Sequence, residues 1–161
     1  MSDVDSKNQI MIDYLKTCPS IKNSPLYFNF NNAKDNTNEI VTLSNDRYTR
    51  KQYVDGSVLK IYSFTILTYK STAPNPIPRI EGYVNENVSD MDDVQKLIDW
   101  VQEQADLHNY PDFGEDYTVD DMYTLSENPV FSGIDDETSP PLAVYSTTIE
   151  IPYIDRTKQW R

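Results

Sequence analysis

The sequence has one cysteine, Cys18, in 161 residues. An internal disulfide and any cysteine-based metal cluster are excluded at once. Cys18 reads as a small core residue near a helix end, in a reducing cytoplasm. The four glycines, Gly56, Gly82, Gly114 and Gly133, stand far apart. A phosphate-cradling loop needs glycines in a cluster, so neither that loop nor a Gly-x-Ser-x-Gly nucleophile elbow is present. Long apolar runs are absent, which leaves no membrane span. The acidic start, Met1-Ser-Asp-Val-Asp5, lacks the apolar stretch of a secretory signal. The length suits one domain, with a core large enough to form without staples. We place that domain at 1–154 and a short C-terminal tail at 155–161.

Basic residues are few and unevenly placed. Between Glu81 and Glu137 there are 17 Asp and Glu against one cation, Lys96, so this segment carries −16 of a chain total of −12. The remainder is +4. Charge runs are usually solvated surface. The sharper reading is an acidic face that repels nucleic acid or meets a basic face of a neighbour. Tight gripping of DNA phosphates by this segment is unfavourable.

What is abundant is β-branched and aromatic sequence. Val58 to Tyr69 reads as one long strand, and Asp55-Gly56 before it is a hairpin-turn signal that pairs it with Arg47–Val54. Alternation of Tyr145, Thr147, Ile149, Ile151 and Tyr153 predicts a last strand over Ala143–Ile154. Pro152 removes a ladder donor and suggests an edge or the strand's end. Shorter strands are expected at Leu26–Phe30, with Phe28 and Phe30 on the Leu26 side, at Ile40–Leu43 and at Thr118–Glu127. Loops are expected at Asn31–Glu39 and Asn128–Pro141. Pro74, Pro76 and Pro78 make an extended connector. One helix is predicted over Ser6–Thr17, with Met11, Tyr14, Leu15 and Cys18 on a face, Ile10 beside it, and Pro19 as the stop. A second starts at an Ser89 N-cap and ends near His108, with Val94, Leu97, Ile98, Val101 and Ala105 inward. Asp92, Lys96, Asp99, Glu103 and Asp106 face water. The tail from Asp155 to Arg161 lacks a core pattern and is expected to order only on binding. The fold class is α+β: an antiparallel or mixed sheet of about four to six strands with two helices packed on one face.

Chemistry is hard to find. The single histidine opens His108-Asn-Tyr-Pro-Asp112, a superficial match to the His-x-x-x-Asp-Gly signature of chloramphenicol acetyltransferases, but Phe113 stands where the glycine belongs. A histidine at a helix C-terminus is favourable without any catalytic role. Asp92-Asp93, Asp120-Asp121 and Asp135-Asp136 are acid pairs, and Asp90-Met-Asp92 begins the spacing of a calcium loop, but no third alternate ligand follows. We assign no catalytic residue, metal or cofactor, and expect a protein that is not an enzyme.

Four features in order carry a resemblance: a helix ending in Leu15-Lys-Thr-Cys-Pro19, the turn Tyr53-Val-Asp-Gly-Ser57 opening a long aromatic strand, a helix with Asp99-Trp-Val-Gln-Glu-Gln104, and a late strand ending in Ile149-Glu-Ile-Pro-Tyr153. With them the chain, over about Asn8–Ile154, resembles the tail terminator (minor capsid protein) family of tailed bacteriophages. The resemblance implies a structural virion protein: a ring, usually of six subunits, at the head-proximal end of the virus tail, assembled in the host cytoplasm. Such a ring caps the tail tube protein, ends polymerisation and joins the neck or head-completion protein, while DNA passes through its channel without specific binding. A basic strand around Arg47, Arg50 and Lys51 would then meet Asp92, Asp99 and Glu103 of the adjacent subunit, and part of the acidic surface would line the channel. Two other readings stand beside this one: a neck or head-tail connector component, and an acidic DNA-mimic inhibitor suggested by the −16 segment.

Overall fold

The computed structural model describes residues 3–22, 24–28, 36–42, 49–71, 80–135 and 141–160. In chain order the elements are α1 (Asp3–Leu15), β1 (Leu26–Phe28), β2 (Thr37–Thr42), β3 (Thr49–Gln52), β4 (Val58–Ser71), α2 (Ile80–Asp106), β5 (Tyr117–Val119), β6 (Tyr123–Thr124), β7 (Val130–Asp135) and β8 (Leu142–Asp155). The class is α+β. Among the described residues two helices accompany an eight-stranded mixed sheet, more strands than the four to six expected.

Two long strands, β4 and β8, form the spine. They pair antiparallel along their whole length, from Val58 opposite Asp155 to Ser71 opposite Leu142. The short strands line the flanks. β2 and β3 pair successive parts of β4, β1 adds to β2 in parallel, and β5, β6 and β7 share the other side of β8. A 14-residue strand is long enough to carry two or three short partners end to end, which is why the strand count exceeds the expected one while the sheet stays narrow.

The alternation in both spine strands gives one apolar face. Tyr62, Phe64 and Ile66 of β4 and Ile149, Ile151 and Tyr153 of β8 are buried in one cluster with Met11, Leu15, Cys18, Leu97 and Val101. Both helices therefore cover the same face. Val94 and Ile98 extend it over Ala143 and Tyr145. Phe113 closes one end with a tilted ring contact to Tyr62 at 5.6 Å and an edge-on one to Tyr153 at 5.6 Å. Cys18 is fully buried and hydrogen-bonds Ser20 at 3.2 Å. The α1 stop and the burial of Met11, Leu15 and Cys18 follow the expected pattern.

Several expectations are corrected. The α2 helix begins at Ile80, well before Ser89, so Ser89 lies inside it and is not its N-cap. Ile80, Tyr83, Val84 and Val88 recur at i, i+3, i+4 and i+8, a helical spacing that continues the α2 pattern backwards, and propagation from an established helix is cheaper than nucleation. At the other end, His108 has φ 53°, its N–H reaches the Ala105 carbonyl at 3.1 Å and Asn109 N–H reaches Gln104 at 2.9 Å. That is a left-handed Schellman cap, and His108 itself is exposed. The strand expected over Thr118–Glu127 is two, β5 and β6, and the expected loop over Asn128–Pro141 contains β7. The loop expected over Asn31–Glu39 yields to β2 from Thr37 onward.

Pro152 is in the central strand, not at an edge. Its carbonyl accepts from Asp120 N–H at 2.8 Å. A strand residue's N and C=O point to the same side, so the missing donor of Pro152 falls where the chain passes from β5 to β6 and no acceptor waits for it. Arg47, Phe30, Leu43, the run Pro74–Pro78 and the acids Asp136 and Glu137 lie outside the described residues.

Candidate functional site

Two surface features stand out, at opposite ends of β4. The first is the hairpin tip. The turn joining β3 to β4 is closed by Tyr53 N–H to Ser57 C=O at 2.8 Å and Gly56 N–H to Tyr53 C=O at 3.0 Å. Gly56 has φ 90°, a left-handed conformation that glycine adopts without strain. Asp55 holds the turn from inside: its Oδ1 accepts from Ser57 N–H at 3.0 Å and Ser57 Oγ at 2.6 Å.

The tail docks on this tip, which corrects the expectation of disorder. After β8, Asp155 Oδ1 accepts from Thr157 N–H at 2.9 Å and its Oγ1 at 2.6 Å, turning the chain back. Gln159 Nε2 then donates to Asp55 Oδ2 at 2.8 Å, and Trp160 N–H to the Asp55 carbonyl at 2.8 Å. The docking bonds join residues more than a hundred positions apart and leave no hydrophobic periodicity, so the docking was invisible in the sequence. Arg161 lies outside the described residues. The result is a hydrogen-bonded tip on which Val54 is 90% and Trp160 76% exposed. Lys51 and Lys158 are exposed beside them, Lys51 Nζ lying 5.3 Å from the Tyr53 ring centre.

Electrostatics stabilise the tip. Hydrogen bonds from Ser57 and Gln159 pull the Asp55 carboxyl down to about 2. For Asp155, burial pushes the carboxyl up, but bonds from Lys60 Nζ at 2.7 Å and from Thr157 outweigh it and leave it below the usual range. Both groups bind their partners as carboxylates, so their contributions are present above about pH 4 and are lost as the pH falls through the lowered values. An NMR titration should show the Asp55 carboxyl carbon titrating near 2, with the Ser57 backbone amide and the Gln159 side-chain amide losing their hydrogen-bonded shifts in step. A midpoint near the ordinary value of about 4 would contradict the network.

The second feature is a groove of about 510 Å³ between the turn after α1 and the outer side of α2, lined by Pro19, Ser20, Asp93, Asp99, Trp100 and Glu103 among others. The α1 end builds one wall, and Trp100 leans on Tyr14 with ring centres 5.2 Å apart. Tyr14 in turn donates to the Asn109 carbonyl at 2.7 Å, and burial holds its hydroxyl well above the usual range. At the groove's inner end Lys70, buried, reaches Asn36 Oδ1 at 2.7 Å and Asp93 Oδ2 at 3.2 Å. Lys96 approaches Asp93 at 3.9 Å. Asp99 accepts from Gln95 at 2.9 Å. Among the described residues no cation lies within salt-bridge range of Asp99 or Glu103.

Of the residues singled out in the sequence, Asp99 and Glu103 are therefore brought together in the groove. Asp92 is exposed and does not line it. Lys51 is on the tip, Arg50 is in β3, and Arg47 is outside the described residues. The turn Asp55-Gly56 is where it was expected. Val54, Trp160 and the Trp100 wall were missed; a tryptophan in a basic tail and a valine at a turn were the only available signals. A third apolar surface is the outer edge of β7, where Val130, Phe131 and Ile134 are 42%, 56% and 53% exposed.

Among the described residues no group of three His, Cys, Asp or Glu side chains could hold a metal ion, and no helix is long and apolar enough to cross a membrane. No protein-family model matches the chain, and no curated protein sequence matches it.

Proposed function

We propose that this chain is a structural subunit of a closed ring, of the tail terminator kind, that caps a tail tube, stops its growth and joins it to the neck. The observation that supports this reading best is the outer edge of the sheet. Among the described residues β7 pairs only with β8, and it carries three large apolar side chains in water. Edge strands are normally blunted by charge or proline because they invite pairing with another chain. One left apolar suits permanent coverage by a neighbour, and a repeated head-to-tail contact closes into a ring when its rotation allows.

Light scattering on the purified chain tests this. The expected mass is about six times the 18.7 kDa of one chain, and deletion of the gene is expected to give overgrown tails. A particle of that size with tails of normal length would favour a neck component instead. A stable monomer or dimer that binds a basic partner would favour the DNA-mimic reading, whose support is the exposed acidic row Asp92, Asp99, Glu103 and Asp106 on α2.

A further inference from the structure

We propose that the hairpin tip, with the C-terminal segment docked on it, inserts into the α2 groove of a second copy of this chain. The inference rests on the ring reading and names a second subunit contact of the ring, beside the one at the β7 edge.

Three observations converge on it. The tip exposes two large apolar side chains, Val54 and Trp160, and two lysines, Lys51 and Lys158, while its Asp55 carboxylate is already engaged by Ser57 and Gln159. The groove offers an aromatic wall in Trp100 and three carboxylates: Asp93 is met by Lys70 and Lys96, the latter also in the lining, while Asp99 and Glu103 have no cation within salt-bridge range among the described residues. A lysine brought there gains two opposite charges and the face of an indole, a favourable pairing when water is excluded. The groove's volume of about 510 Å³ lies in the range of ordinary ligand clefts, roughly 300–1,000 Å³.

Geometry then forbids the contact within one chain. The tip precedes Val58 at one end of β4, and the groove reaches Lys70 at the other, through the Lys70–Asp93 pair. At ~3.3 Å per strand residue the two ends are roughly 40 Å apart. A tip can therefore fill only a neighbour's groove. The contact is heterologous: one copy offers the tip, the next offers the groove, and an open series keeps one unused tip and one unused groove at its two ends until it closes. Rigidity favours it further. The tip is fixed before binding by the bonds to Asp55, so little ordering cost remains on association.

The experiment uses paired charge reversals in the full chain. All four positions are exposed, so folding should survive, and circular dichroism checks that it does. Variant one carries Lys51→Glu and Lys158→Glu; variant two carries Asp99→Lys and Glu103→Lys. Each alone is expected to need a protein concentration at least about tenfold higher to assemble, because like charges now face each other. Mixed in equal amounts they are expected to assemble together, since each tip then meets a groove of opposite sign. If the wild type assembles and both variants assemble separately at wild-type concentrations, the tip-to-groove contact is overturned while the ring stands. A wild-type chain that stays monomeric at high concentration overturns both.

Discussion

Replacing Phe64 with alanine is expected to lower the free energy of unfolding by about 3–5 kcal/mol. Phe64 is completely buried. Its strand β4 lies between β2 and β8, with Thr42 on one side of it and Ile149 on the other. Its ring meets Tyr62 at 5.7 Å between centres and shares one cluster with Leu15, Leu97 and Val101 of the two helices. A deleted side chain costs most where the surroundings cannot collapse into the space. Here the sheet is pinned by paired strands on both flanks, and two helices lie across it, so the cavity persists. For a chain of this size the melting temperature should fall by about 6–20 °C. Urea unfolding measures the change directly, with Val54→Ala, at a position 90% exposed, expected to stay within about 0.5 kcal/mol. A loss below about 1 kcal/mol at Phe64 would mean that the two helices do not pack on this face.

The same packing explains what could be read in the sequence. β4 and β8 were legible because each buries one face, and burial imprints a period of two: Tyr62, Phe64 and Ile66, then Ile149, Ile151 and Tyr153. The inner face of α2 was legible for the equivalent reason, with Val94, Leu97, Ile98 and Val101 at helical spacing. β7 was not, because an edge strand is held by backbone bonds to β8 and leaves Phe131 and Ile134 in water. The break between β5 and β6 was equally hidden, since it depends on where Pro152 of the partner strand has no donor to offer. For the candidate site, Asp99 and Glu103 could be placed on the outer face of α2 by periodicity alone. That they become one side of a groove depends on α1 ending beside Trp100, a contact between segments far apart in the chain. The docking of Gln159 and Trp160 on Asp55 is of the same long-range kind.

Gly56→Ala should release the C-terminal segment and leave the sheet intact. Gly56 has φ 90°, and a Cβ there would sit 2.4 Å from the carbonyl oxygen of Lys158. Two penalties act together. The left-handed backbone costs a non-glycine residue about 1–3 kcal/mol, and the clash is with main chain, which cannot rotate aside as a side-chain end can. The least costly relief is for 156–160 to move off the turn, which breaks the bonds from Gln159 and Trp160 to Asp55. The β4–β8 pairing up to Val58 and Asp155 does not depend on those bonds. The Trp160 amide should therefore lose its hydrogen-exchange protection while those of Phe64 and Ile151 keep theirs. Gly114→Ala separates the two penalties: its φ is 118°, but a Cβ there meets only Tyr117 Cδ2 at 3.7 Å, so it carries strain without a clash and should leave Trp160 protected. With the tip disordered, Gly56→Ala should also weaken assembly as strongly as the charge reversal of Lys51 and Lys158. Retained protection at Trp160 in Gly56→Ala would show that the turn and the tail are not in contact, and the tip would no longer be a preformed surface for a neighbouring subunit.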